Sequence, residues 1–349
     1  MRTDYTSEVA SGIDLEALGE LGLIDTLRRR AGEPGGAWIR AIGDDAAVLR
    51  PRPGTDLIWT VDALVEDVHF RWQTTDARSL GHKALLVNLS DLNAMGAKPL
   101  GFLLTLALPG DSEPERVDGF LRGLLAEARS SGCPLVGGDT VSAPIWSLSV
   151  SAVGAVPRGR ALCRTGARPG DRIMVTGTLG GAALGLELLE AGRATRAEAR
   201  RYARRHLRPR PPLGAGPLLA RAGLATAAVD LSDGLARDLS HVLRESGVGA
   251  EIRLESLPLP RGFRGLCGEL GLDAESLALA GGEDYELLFT VPARAPQASV
   301  LAKRLGCRLT EVGFVGRGRG LRFSRRGEQV RGEFSSYEHF KTRGKRSEQ

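Results

Sequence analysis

The sequence is short of everything that would mark a metal finger, a disulfide scaffold or a membrane anchor. Its four cysteines, Cys133, Cys163, Cys267 and Cys307, are scattered and form no CxxC pair. That spacing excludes a zinc knuckle or a disulfide frame and fits a reducing cytoplasm. The longest apolar run, LGFLLTLAL at 100–108, is about half of what a bilayer span needs. The first residues, MRTDYTSEVASGID, are polar and acidic, unlike a secretory signal. A soluble, cytoplasmic protein with no membrane partner is expected. Also missing are the Walker A pattern GxxxxGK[ST] and the kinase set of glycine loop, HRD and DFG. GTLGGAALG, at 177–185, has the glycines of a phosphate loop but not the following lysine.

What is present is ordinary globular composition, 42% hydrophobic and 26% charged, over 349 residues. That length suffices for two domains. The net charge of +5 comes from arginines spread along the chain with acids between them. No basic stripe results, so nucleic acid is not an expected partner. The arginine run at 200–210 reads as a solvated helix face leading into Pro209, with a phosphate or nucleic-acid role as the lesser reading.

Periodicity predicts helices over 15–31, 76–97 and 113–132 and strands at 56–62, 99–110 and 145–156, with DLIWTVD taken as a buried strand. PLVGGD reads as a short strand running into a glycine turn. A segment rich in Gly, Pro and Arg follows, and the domain boundary is placed at about residue 157. The fold class is α/β (α+β): an N-terminal domain over 1–156 with a mixed sheet and helices, and a C-terminal α/β domain over 157–340. Residues 341–349 are expected to be a disordered tail.

The informative residues are acids beside apolar or glycine-rich sequence. They include Asp44 and Asp45 in IGDDAAV, Asp62 in TVDALVEDVHF, Asp91 in VNLSDLNAMGA and Asp139 in VGGDT. The second half adds Asp230 and Asp233 in VDLSDG and Glu283 and Asp284 in GGEDYEL. An unpaired carboxylate in such surroundings is costly to desolvate. Asp91 is the sharpest case, since it and Asn88 interrupt an apolar helix on one face. So many acids stay ionised only around hard cations. Oxygen donors without Cys or His point to Mg²⁺, which prefers a few carboxylates together with substrate phosphates.

Nine motifs in order, IGDDAAVL, VDALVEDVHF, KALLVNLSDLNAMGAKP, VGGDT, ALCRTGARPGD, RHLRPRPP, VDLSDGLARDL, GGEDYEL and YEHF, resemble the thiamine-monophosphate kinase family. That family lies within the aminoimidazole-ribonucleotide-synthetase-like superfamily of two-domain ATP-binding enzymes. The resemblance spans roughly residues 12 to 340. It implies transfer of the ATP γ-phosphoryl group to thiamine phosphate, with several Mg²⁺ ions and ATP as co-substrate, in a homodimer that pairs N-terminal sheets. By resemblance, Asp45, Thr60, Val61, Asp62, Asp91, Asp139, Asp230 and Asp233 occupy metal positions, Asp91 and Asp230 being central to catalysis. Gly138, Asp139, Arg164 and Ser232 match nucleotide contacts, and His69, Glu283 and Tyr337 match substrate contacts. One departure is Val61, where the family commonly carries a hydroxyl; only its backbone carbonyl remains as a donor.

Bland roles compete at several positions. Asp44 suits a turn, Asp230 and Asp233 suit helix caps, and His69 suits a structural histidine. Glu66 and Asp67 read as a solvated pair, Tyr337 as a docking aromatic, and Gly180 and Gly181 as allowances for close packing. Rival functions are a related enzyme acting on a purine precursor or selenide, an idle nucleotide sensor, and a nucleic-acid binder. Selenide use goes with a reactive N-terminal Cys, whereas the first here is Cys133.

Overall fold

The computed structural model describes residues 12–330. Tyr337 and the 341–349 tail lie outside the described residues. Helix α1 (Leu15–Ala31) is capped by Asp14, whose carboxylate accepts the Ala17 amide, and it is interrupted at Gly19. β1 (Trp38–Arg40) and β2 (Val48–Leu49) form a small antiparallel ribbon. Next come β3 (Thr55–Val65), α2 (Ala77–Ala94), β4 (Lys98–Leu108), α3 (Pro114–Ser131), β5 (Leu135–Ser142) and β6 (Ser147–Pro157). Their strands build a four-stranded sheet in the order β3-β6-β4-β5, antiparallel except for β4 and β5.

The second half comprises β7 (Arg172–Thr176), α4 (Gly181–Glu190), α5 (Ala197–Leu207), α6 (Ala215–Ala222), β8 (Ala227–Asp230), α7 (Leu235–Ser246) and β9 (Gly249–Arg253). It continues with α8 (Phe263–Glu269), α9 (Ala274–Ala280), β10 (Leu287–Val291), α10 (Ala298–Leu305), β11 (Leu309–Gly316), β12 (Gly320–Arg325) and β13 (Glu328–Val330). A seven-stranded mixed sheet results, ordered β13-β12-β9-β11-β7-β10-β8, in which only β9 and β12 run parallel.

Helix α2 is the hinge of the architecture. Asp76 caps it by accepting the Ser79 amide at 2.9 Å, and Met95 and Gly96 end it. Leu85, Leu89 and Leu92 are fully buried, and each such side chain contributes about 1.5–3 kcal/mol. The core around them extends through Phe102 and Phe120 to Leu219, Leu287 and Phe289, so the two halves share it. A second core, including Ile173, Leu235, Leu239 and Ile252, belongs to the second half alone.

Two strands differ from their sequence expectation. β3 is an edge strand with alternating burial, and Leu57, Trp59 and Val61 are exposed on one face. The apolar run misled because its outward residues are as hydrophobic as its inward ones. β5 continues through Gly137, Gly138 and Asp139 and does not turn there. Gly138 is needed because a Cβ at that position would stand 1.9 Å from the Leu104 carbonyl oxygen.

Candidate active site

Three elements deliver carboxylates to one place. β3 alternates, so Thr60 and Asp62 point towards α2 while Val61 faces the other way. Thr60 donates its hydroxyl to Asp91 Oδ2 at 2.6 Å, and the Asp62 amide donates to Asn88 Oδ1 at 3.1 Å. Asn88 and Asp91, three residues apart, thus seal the helix against the strand. From the next position, Ser90 donates to Asp230 Oδ2 at 2.8 Å, tying α2 to the end of β8.

The acids press on one another. Burial first, and then the Asp91 charge, push Asp62 up to about 6. Burial, Asp91, Asp238 and Asp62 together push Asp230 up to about 8, against the bond from Ser90. Burial also raises Asp91, opposed by Thr60 and the nearby Arg164 guanidinium. The apolar surroundings and mutual repulsion therefore favour protonation unless a cation arrives. Among the described residues, no three His, Cys, Asp or Glu side chains stand close enough to cage an ion. A polyphosphate-bound Mg²⁺ needs no such cage, because phosphate and water supply most of its oxygens.

Opposite this cluster, the segments after β8 and before β10 run together. The Glu283 amide donates to the Ser232 carbonyl at 2.8 Å, and the Tyr285 amide to the Leu231 carbonyl at 2.9 Å. Gly282 allows the approach, since a Cβ there would lie 2.5 Å from the Ser232 oxygen. Glu283 has φ of +67°. Its carboxylate meets buried Lys83 Nζ at 2.5 Å and His206 Nδ1 at 2.9 Å. The His206 contact is close enough for an ion pair but lacks hydrogen-bond geometry. Burial alone would raise the Glu283 pKa, but Lys83 and His206 outweigh it and hold the carboxyl well below its ordinary value. Tyr285 feels Glu283, Asp62, Asp230 and Asp91, which with burial raise its hydroxyl far above the usual range.

Lys83, His206, Ser90, Asn88 and Tyr285 thus join a site in which sequence reasoning had seen chiefly the acids. Lys83→Met strands Glu283 beside a single weaker partner, and we expect a loss of about 2–4 kcal/mol of stability in urea unfolding. Adding Glu283→Gln to that variant restores at least half of the loss; no recovery would argue against the pair.

The remaining candidates are distributed unevenly. Arg164 is exposed, near enough to Asp91 and Asp238 to oppose the rise that burial gives each, and its carbonyl accepts the Ser246 hydroxyl at 3.2 Å. His69 Nδ1 accepts the Val65 amide at 3.1 Å, so its ring helps close the turn after β3. Asp44 takes the turn role, accepting the Asp45 amide at 3.1 Å and pairing with Arg40 at 3.7 Å. Asp45 is exposed and makes no hydrogen bond or ion pair with the cluster among the described residues. Asp139 and Gly138 lie on edge strand β5, and Asp139 is exposed on the sheet face opposite Thr60 and Asp62.

Capping at α7 also differs from expectation. Gly234 is the N-cap residue with no side-chain bond, and Asp238 reaches back to accept the Asp233 and Gly234 amides at 3.0 and 3.1 Å. Asp233 is left to pair with Arg237 at 3.5 Å. The GTLGGAALG segment is not an open phosphate loop either. Asp284 occupies the start of α4, accepting the Gly180 and Ala182 amides at 2.5 and 3.0 Å. Glu66 is likewise engaged, accepting the Trp146 amide at 3.0 Å.

Family models of the AIR synthase related protein match this chain twice, the N-terminal domain over residues 43–156 and the C-terminal domain over 168–325. The thiamine-monophosphate kinase of Salmonella typhimurium is 41% identical over 307 residues, covering 86% of this chain and 92% of that protein. The chain belongs to the thiamine-monophosphate kinase family. The crystal structure of the thiamine-monophosphate kinase from Stenotrophomonas maltophilia K279a superposes with a TM-score of 0.79 at 42% identity, covering 90% of this chain and 98% of that one. A second solved family structure, AaThiL complexed with AMPPCP and TMP, gives a TM-score of 0.73 at 34% identity over 93% of this chain and 98% of its own. The two-domain architecture and the mixed α/β class expected from the sequence are those of this thiamine-monophosphate kinase family. Among the described residues, no helix is long and apolar enough to cross a membrane.

Proposed function

We propose that this protein transfers the γ-phosphoryl group of ATP to thiamine phosphate, forming thiamine diphosphate and ADP. The observation that carries the reading is the set Asp62, Asp91 and Asp230, two half-buried acids and one buried acid brought together from three elements, with only the Arg164 guanidinium beside Asp91 to offset their charge. Membership of the kinase family, and a relative solved with AMPPCP, an ATP analogue, and TMP, support it.

The acceptor is itself a phosphate whose second pKa is roughly 6, so its attacking oxygen is ionised at neutral pH. A catalytic base is therefore unnecessary. The obstacle is the approach of one anion to another, and Mg²⁺ held at the acids would supply the neutralising charge. Asp62, Asp91 and Asp230 would hold it. Asp45, Asp139, Asp233, Thr60 and the Val61 carbonyl are further donors proposed by resemblance. Arg164 offers a guanidinium charge beside Asp91. Gly138 and Ser232 are proposed nucleotide contacts. Glu283, kept anionic by Lys83 and His206, is suited to a substrate whose thiazolium ring is a permanent cation. His69 and Tyr337 complete the proposed substrate contacts.

The division near residue 157 is part of the same reading, supported by one sheet ending at Pro157 and the next beginning at Arg172. A cytoplasmic location is proposed with it. So is a homodimer: Leu57, Trp59 and Val61, 40%, 63% and 62% exposed, make an apolar stripe on the open sheet face. Trp59→Glu should halve the mass found by light scattering; an unchanged mass would place the interface elsewhere.

The function is tested by giving purified protein ATP, Mg²⁺ and, separately, thiamine phosphate, thiamine or hydroxymethylpyrimidine phosphate. Thiamine diphosphate formed from the first acceptor at the highest rate supports the reading. Turnover of only the pyrimidine phosphate would replace the acceptor.

A further inference from the structure

Helix α5 and the turn after it are more than a solvated face. Arg201, Arg204, Arg205, Arg208 and Arg210 line a cavity of about 330 Å³, together with Asp284 and Glu286. None of Asp62, Asp91 and Asp230 borders it. Three of the guanidiniums are held in place. Arg205 donates to Thr178 Oγ1 at 2.6 Å and stands 3.5 Å from Glu286. Arg208 donates to Ser79 Oγ at 2.7 Å. Arg201 donates to the Arg261 carbonyl at 2.6 Å and lies 5.2 Å over the Tyr202 ring.

Arg204 and Arg210 differ. Their side chains make no hydrogen bond or ion pair among the described residues, although both border the cavity. The two acids nearby do not satisfy them, because each is already engaged. Asp284 is bound by the α4 amides, and Glu286 accepts from Thr176 Oγ1 at 2.7 Å and the Thr178 amide at 3.3 Å. Burial and its neighbours also push Glu286 up to about 7, which weakens it as a counter-charge at neutral pH. Five like charges around one concavity repel each other, and a concave wall focuses their field.

We propose that this cavity is a second anion site, which binds a compact diphosphate group through the free forks of Arg204 and Arg210. A guanidinium matches one phosphoryl group in bidentate fashion, so two unengaged forks call for two linked phosphoryls. The volume, at the lower end of small-molecule sites, suits such a group. An extended nucleic acid would instead favour a continuous basic surface. The diphosphate can be free inorganic diphosphate or the diphosphate end of a larger molecule such as thiamine diphosphate.

The test is isothermal titration of the whole protein in EDTA. Without a divalent cation the acid cluster repels anions, so any binding reports another site. Inorganic diphosphate should bind wild type saturably at one site per chain. Arg204→Ala/Arg210→Ala should weaken it about tenfold or more. Both side chains are exposed, so the variant keeps the fold. Displacement of diphosphate by thiamine diphosphate, lost in the variant, identifies the product as a source; no displacement identifies the free anion. The proposal fails if wild type shows no saturable binding, if both proteins bind equally, or if single-stranded RNA binds and diphosphate does not.

Discussion

Asp91→Asn should lose thiamine diphosphate formation by on the order of 10³-fold, yet the metal-free variant should unfold at a higher temperature than wild type. The two effects have one cause. Asp91 stands between Asp62 and Asp230 and raises both of them. In the metal-free protein the Arg164 guanidinium offsets only part of that repulsion, and a bound cation would offset the rest. Asparagine keeps an oxygen to accept the Thr60 hydroxyl, which now lies 2.6 Å from Asp91 Oδ2. Relief of repulsion is therefore not offset by a lost bond, and a gain of about 1–2 kcal/mol is expected without metal. Initial rates with ATP and Mg²⁺, and calorimetric melts in EDTA, measure the two halves. A variant that is inactive and also less stable in EDTA would mean that Asp91 is structural.

Metal-free protein should lose stability as the pH rises from about 5 to about 8, the reverse of what salt-bridged carboxylates produce. Asp230 titrates at about 8 in the folded protein and Asp62 at about 6, against 3.8 for an unperturbed aspartate. In that window the folded chain holds protons that the unfolded chain has released. Stability is thus fully present below the unfolded value and is lost as the pH passes through the folded ones. Asp238 and Glu286, both raised to about 7 mainly by burial, act with the same sign. Glu283 has the opposite sign, but its contribution is lost only in strong acid. Excess Mg²⁺ should flatten the slope, because a bound cation favours the ionised acids. Melting temperatures across that range, in EDTA and in Mg²⁺, decide the matter. A metal-free profile that rises towards pH 8 would contradict the picture of acids raised by desolvation and mutual repulsion.

The acids of the site were legible because each broke a local pattern. Asn88 and Asp91 interrupt a helix whose inward residues are mostly Leu, Ala and Val, and Asp230 ends a strand that is otherwise Ala and Val. Such residues need partners, and the structure provides Thr60, the Asp62 amide and Ser90. Lys83 and His206 were not legible. A lysine in a helix is ordinarily solvated, and the carboxylate that buries this one lies some two hundred positions away in sequence. Asp238 hid for a different reason: the acid nearest the start of α7 was the natural cap, whereas the bond comes from within the helix. The edge position of β3 and the passage of β5 through GGD depend on which strands lie beside them, which a single strand's pattern does not carry.

The most direct test follows the label from ATP carrying it on the γ-phosphorus, with Mg²⁺ and thiamine phosphate. The account predicts label in the terminal phosphate of thiamine diphosphate, with one ADP formed per product. Label released only as free phosphate, or AMP in place of ADP, would contradict it.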